Sequence, residues 1–226
     1  MKKFVIIVAG GSGLRMGTEL PKQFLELCEK PVLMHTIQRF FDFDPYCNLI
    51  LVLPVGQQEF WKQLCLDHAF ILPHQIVSGG ETRYHSVLNG LKLIQGEGIV
   101  FIHDGVRPLV SLETLGRCFE TAQKCGNALP VLPISDSLRK LVGNQNTSVD
   151  RSQYIIVQTP QTFRTEQILK SFSQSYDPGF TDDATVVERA GYTINLVEGN
   201  AENIKITTPT DLIIAQALIK GKQTTN

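Results

Sequence analysis

The chain has 226 residues, of which 42% are hydrophobic, and a formal net charge of -1. That is enough apolar material to bury the core of one large domain. The balanced charge excludes the global basic field a nucleic-acid coat protein needs, so any anion site must be local.

The apolar start "MKKFVIIVAGG" breaks at Gly10, short of a secretory h-region and far short of a membrane span. Five cysteines, Cys28, Cys47, Cys65, Cys118 and Cys125, form no C-x-x-C pair and no metal-ligand spacing. They read as reduced thiols of a cytoplasmic protein.

In chain order, strand-like apolar runs alternate with helix-like segments, the pattern of an α/β sheet covered on both faces. The predicted strands are 3–9, 48–54, 74–78, 98–104, 155–159 and 192–198, and several lack polar alternation, as strands buried on both faces do. "RYHSVLNGLKLI" sets Tyr84, Val87, Leu88, Leu91 and Ile94 on one helical face. "TPTD" opens a C-terminal helix, with Thr208 as cap, Pro209 in the first position and Asp211 as the reciprocal acid. The stretch from about 129 to 154 reads as strand, polar Gly-Asn tip and strand, a projecting hairpin arm that either packs on its own domain or reaches a partner subunit.

The loop "VAGGSGLRMG" after the first strand fails two familiar patterns. A dinucleotide fingerprint needs G-x-G-x-x-G and a ribose-holding acid about 20 residues on; here the spacing is G-x-G-x-x-x-G and the second strand ends without a carboxylate. A P-loop needs Lys and Ser or Thr after its last glycine, but Gly17 is followed by Thr18 and Glu19. What remains is a Gly-rich turn at the carboxyl edge of the sheet carrying Arg15, with Lys22 just beyond. Glycine lets backbone N–H groups approach phosphate closely, and the two cations can neutralise a triphosphate. A tight turn with surface cations is the plain alternative.

Three further clusters add to this. "SGGETRYHSV" puts a second glycine pair between strand and helix, with Arg83 and Ser86 on one face. "HDGVRP" ends a strand with Asp104, which could hold a metal ion or a ligand hydroxyl, while His103 reads as a hydrogen-bonded strand-end residue. "TDDA" places Thr181 at an N-cap with Asp182 and Asp183 in the first turn, which capping alone would also explain.

With these residues in view, the chain resembles the 2-C-methyl-D-erythritol 4-phosphate cytidylyltransferases from Phe4 to about Leu218. The blocks that carry the likeness are "AGGSGLRMG", "PKQF", "SGGETRYHSV", "HDGVRP", "VDR" before "QTPQTF", "TDDATVVE" and "NIKITTPTDL". The resemblance implies a Rossmann-like, mostly parallel mixed sheet flanked by helices, of nucleotide-diphospho-sugar transferase type. It implies one nucleotidyltransferase domain over 1–226, a homodimer joined through the arm, and no nucleic-acid or membrane partner. The implied reaction joins CTP and 2-C-methyl-D-erythritol 4-phosphate, with release of pyrophosphate, in the non-mevalonate isoprenoid route, with Mg2+ accompanying CTP.

By the same resemblance, Arg15 and Lys22 stabilise the transition state, and Arg151 and Lys205 position the substrate phosphate, Arg151 from across the dimer. Ala9, Gly10, Gly11, Gly13, Gly80, Glu81, Arg83 and Ser86 would bind CTP. Asp104, Arg107, Ser137 and Thr181 would contact the phosphorylated polyol, with Asp104 also a candidate metal ligand. The chain departs from the family's "AAG" and Asp-Thr-x-Lys with "AGG" and "DSLR", which keep a hydroxyl at Ser137 and a cation at Arg139. A ribitol 5-phosphate cytidylyltransferase and a catalytically silent nucleotide-binding protein are the rival readings.

Overall fold

The computed structural model describes residues 1–10 and 20–223. Gly11, Gly13 and Arg15 therefore lie outside the described residues. The elements that can be described begin with strand β1 (Lys2–Val8), a 3₁₀ turn (Lys22–Phe24), the short hairpin β2 (Glu26–Leu27) and β3 (Lys30–Pro31), and helix α1 (Val32–Phe43). Next come β4 (Asn48–Leu53), α2 (Val55–Asp67), β5 (Gln75–Ser78), α3 (Arg83–Leu91), β6 (Gly98–Asp104) and α4 (Leu112–Cys125). The second half holds β7 (Asn127–Pro133), the hairpin β8 (Arg139–Val142) and β9 (Gln145–Ser148), β10 (Ile155–Val157) and β11 (Gln161–Arg164). It closes with α5 (Thr165–Ser171), α6 (Asp183–Arg189), β12 (Leu196–Glu198) and α7 (Pro209–Gln223).

The main sheet runs β10-β7-β11-β6-β1-β4-β5, with β12 added beside β7. Strands β6, β1, β4 and β5 are parallel, and β11 is antiparallel to both β6 and β7. Every residue of β6 is buried, as is β4 from Leu49 to Leu53, which is why neither shows polar alternation. The period of 2 instead sorts residues between two cores. Val5 and Ile7 of β1 join Leu33, Phe40, Leu51, Phe101 and Leu115 under α1 and α4. Phe4 and Ile6 join Ile50, Val87, Val100, Ile102, Ile168 and Val186 under α3, α5 and α6.

Register brings the carboxyl ends together: Val8 pairs with Val52 and with Asp104, and Leu53 pairs with Ser78. The described residues that follow these ends, among them Ala9, Gly10, Pro54, Gly79 and Gly80, form one rim, the usual ligand edge of such a sheet.

Two sequence expectations need correction. The arm does not begin at 129, because Leu129–Pro133 belongs to β7 and pairs inside the main sheet with β10 and β12. Within the stretch 129–154, only β8 and β9 stand apart from the main sheet as a two-stranded sheet of their own, and all eight of their residues are exposed. Its two-residue tip starts at Gly143 with φ +58, the position that a type II′ turn reserves for glycine. The strand expected over 192–198 is confined to Leu196–Glu198, and β11 is an addition to the predicted strands. The "TPTD" cap is as expected: the Asp211 N–H donates to Thr208 Oγ1 at 3.3 Å, and the Thr208 N–H donates to Asp211 Oδ2 at 2.8 Å.

Candidate active site

At the carboxyl edge lies a cavity of about 500 Å³ among the described residues. Its walls include Ala9 and Gly10 from the end of β1, Lys22 and Gln23 from the 3₁₀ turn, and Gly80, Glu81, Arg83 and Ser86 from the β5–α3 connection. Asp104 and Lys205 close it. A second cavity of about 280 Å³ is lined by Arg107, Gln158, Thr159, Gln161, Thr181 and Asp182. Arg83, Asp104 and Lys205 line both. The molecule thus offers two chambers with a charged common wall.

Local structure explains each placement. Thr82 caps α3 by accepting from the His85 N–H at 3.4 Å, so Arg83 and Ser86 fall in its first turn. Ser86 Oγ accepts from the Gly80 N–H at 3.1 Å and pins the glycine pair. A Cβ on Gly80 would meet that of His85 at 2.4 Å, so the loop can approach the helix only with glycine there. Gln23 is fully buried, and its Nε2 donates to the Ala9 carbonyl at 2.9 Å and to Gln57 Oε1 at 2.8 Å, fastening the end of β1 to α2.

Asp104 is the electrostatic centre of the common wall. Its Oδ2 lies 3.0 Å from Lys205 Nζ and 3.2 Å from Arg107 Nε, and its Oδ1 lies 3.9 Å from Arg83 Nε. Burial opposes its ionisation, but Arg83, Lys205 and Arg107 outweigh that and hold the carboxyl well below the usual carboxylate range. Three cations on one carboxylate leave little for a metal ion. Among the described residues no group of three or more His, Cys, Asp or Glu could hold one. The Asp104 metal reading therefore gains no support, and the carboxylate reads as an organiser of cations.

His103 donates from Nε2 to the Arg107 carbonyl at 3.0 Å and accepts at Nδ1 from Thr159 Oγ1 at 3.0 Å. The tautomer follows from the partners, since a carbonyl can only accept and Thr159 Oγ1 already accepts from the Asp104 N–H at 3.1 Å. Burial pushes its pKa down to about 4, so the ring is neutral. The hydrogen-bonded strand-end role expected for it is what the structure has.

The α6 cap sits one residue later than expected. Asp182, not Thr181, is the N-cap, with Oδ1 accepting from the Thr185 N–H at 2.8 Å. The Thr181 hydroxyl shares a 3.1 Å contact with that of Thr185 and lines the second chamber. Asp183 is buried against Arg83, with Nη2 to Oδ2 at 2.7 Å. Burial pushes the Asp183 carboxyl up while Arg83 opposes the shift.

Ser137 and Arg151 are not brought to either chamber within one chain. Both are exposed, and the Arg151 guanidinium donates to the Ser135 carbonyl at the base of the arm. Sequence reasoning missed Gln23, Gln158, Thr159, Gln161 and the pairing of Asp183. Gln23 stood inside the quoted block "PKQF", but no spacing rule marks a buried amide.

The family model described as 2-C-methyl-D-erythritol 4-phosphate cytidylyltransferase matches residues 3–221. The protein of that name from Bacteroides thetaiotaomicron is 53% identical over 97% of this chain and 100% of its own length. That from Bacillus velezensis is 38% identical over 98% of this chain and 97% of its own. The crystal structure of the Thermus thermophilus enzyme of the same name superposes with a TM-score of 0.80 at 32% identity, covering 97% of this chain and 100% of that one. With the sheet order, the two-chambered rim and these likenesses in agreement, the chain belongs to the 2-C-methyl-D-erythritol 4-phosphate cytidylyltransferase family.

Proposed function

We propose that the chain transfers the cytidylyl group of CTP to the phosphate of 2-C-methyl-D-erythritol 4-phosphate and releases pyrophosphate, a step of the non-mevalonate isoprenoid route. The observation that carries this reading is the pair of chambers joined at Arg83, Asp104 and Lys205. Two anionic substrates must be brought together, and cations in a common wall serve that need.

CTP occupies the larger chamber, with its base and ribose along Ala9, Gly10, Gly80, Glu81 and Ser86 and its phosphates toward Lys22 and Arg83. The family pattern adds Arg15, Gly11 and Gly13 to the residues that bind CTP. The phosphorylated polyol occupies the smaller chamber against Asp104, Arg107 and Thr181, with Lys205 on its phosphate. A phosphate oxygen attacks the α-phosphorus in line; a new P–O–P bond forms, the bond to the β-phosphate oxygen breaks, and pyrophosphate leaves with the electron pair. The attacking phosphate is already anionic near neutral pH, so no general base is required. Catalysis rests on positioning and on donors aimed at developing charge.

The proposal includes Mg2+, which would accompany CTP. Asp104 is taken up by three cations, so the donor set fits an ion carried mainly by phosphate oxygens, a common arrangement for magnesium. Bound there, the ion would screen the triphosphate charge.

A homodimer through the arm is part of the same proposal. Ser137 and Arg151 stand outside both chambers of their own chain, and a second copy presenting its arm would supply them. Exposed Leu141, Val142, Tyr154, Ile155 and Ile156 offer apolar surface for that contact. The proposal extends to one catalytic domain over 1–226, acting in the cytoplasm.

The test is a pyrophosphate-release assay across nucleotides and polyol phosphates. CTP with 2-C-methyl-D-erythritol 4-phosphate should give the highest kcat/KM. Preference for ribitol 5-phosphate, or no release with any pair, overturns the reading.

A further inference from the structure

We infer that Asp183 is a positioning residue: it holds the Arg83 guanidinium in the wall shared by the two chambers and leaves its other N–H donors for the phosphates that meet there. This rests on the nucleotidyl-transfer reading of the site.

Among the described residues Arg83 has two carboxylates within 4 Å, and they are unequal. Asp183 Oδ2 stands 2.7 Å from Nη2, whereas the nearest Asp104 oxygen stands 3.9 Å from Nε. Asp104 is also claimed by Lys205 at 3.0 Å and Arg107 at 3.2 Å, so its hold on Arg83 is the weakest of its three. Asp183 is therefore the principal anchor.

A buried carboxylate is costly unless something compensates it, and the Asp183 side chain is 1% exposed. Helix capping does not account for it, because Asp182 already makes the cap. Gln161 fixes the same turn from β11: its Oε1 accepts from the Ala184 N–H at 2.7 Å and its Nε2 donates to Asp182 Oδ2 at 2.7 Å. The turn is clamped without any help from Asp183, and what its carboxylate adds is a fixed anion beside Arg83. Loss of that anion would let Arg83 move toward Asp104 and compete with Lys205 and Arg107 for it. Both phosphate holders would then lose their set positions.

The experiment is steady-state pyrophosphate release by Asp183→Asn, Asp183→Ala and Arg83→Ala, alone and combined, at saturating CTP and polyol phosphate, with thermal melting to confirm folding. Asn preserves shape but not charge, so Asp183→Asn should fold and lose at least about fivefold in kcat, and Asp183→Ala about 10- to 100-fold, below the loss expected for a donor that itself touches developing charge. In the Arg83→Ala background, Asp183→Asn should cost less than about twofold more, because residues acting as a unit are not additive. A merely structural role would lower the melting temperature yet leave losses that multiply. An Asp183→Asn variant within twofold of the parent kcat, or independent losses in the double variant, overturns the inference. If the unaltered chain releases no pyrophosphate, the nucleotidyl-transfer reading fails and the inference falls with it; an active chain with an indifferent Asp183 defeats the inference alone.

Discussion

Lys205 Nζ lies 3.0 Å from Asp104 Oδ2, tying the segment before α7 to the end of the central strand β6. The ammonium is thereby held in the wall of both chambers although its side chain remains 44% exposed. If it grips the polyol phosphate, Lys205→Ala should raise KM for that substrate more than for CTP. Loss of one charge-assisted hydrogen bond, about 1.5 to 3 kcal/mol, corresponds to roughly 10- to 100-fold in kcat/KM. Varying each substrate at saturation of the other separates the effects; a change confined to CTP would move Lys205 to the nucleotide side.

Lys22 lines only the larger chamber. As a donor to charge developing on the departing pyrophosphate, its removal in Lys22→Ala should cost about 10²- to 10³-fold, mainly in kcat. Near-normal turnover would take Lys22 out of the chemistry.

Arg151 stands outside both chambers of its own chain. If it acts across a dimer, inactive Lys22→Ala and Arg151→Ala chains should regain activity when mixed, since each mixed dimer assembles one intact site. Absence of recovery, with subunit exchange verified by differently tagged chains, would count against a shared site.

His103 makes stability depend on pH. Its folded pKa is about 4 against an ordinary 6.5. Between those values the unfolded chain binds more protons, so stability should rise from pH 4 to 6.5 and level off above. The span is worth about 3 kcal/mol. His35 and His74 are also lowered by burial and act in the same sense. His103→Gln should therefore shrink, without abolishing, the difference in Tm between pH 5 and pH 7.5; an unchanged difference would mean that His103 does not carry it.

Much of the scaffold was legible because its signals are local. The unbroken apolar runs of β4 and β6 state that both faces are covered, and "TPTD" states a cap in four residues. The misses have equally physical causes. In the sequence β7 is indistinguishable from the arm, because an antiparallel core strand followed by a hairpin carries the same composition as the hairpin alone. Thr181, Asp182 and Asp183 all satisfy the local N-cap preference, so the cap is decided only in the folded chain, where Gln161 holds Asp182 and Asp183 turns to Arg83.

The sequence by itself determined the alternation of strands and helices, the glycine-bearing loops at strand ends and the inventory of cations, since each is written in neighbouring residues. Only the tertiary structure decided that Arg83, Arg107 and Lys205 share Asp104, that two chambers meet at that wall, and that Asp183 lies beneath it. Charges far apart in the chain become partners through the register of parallel strands, which composition and spacing do not encode.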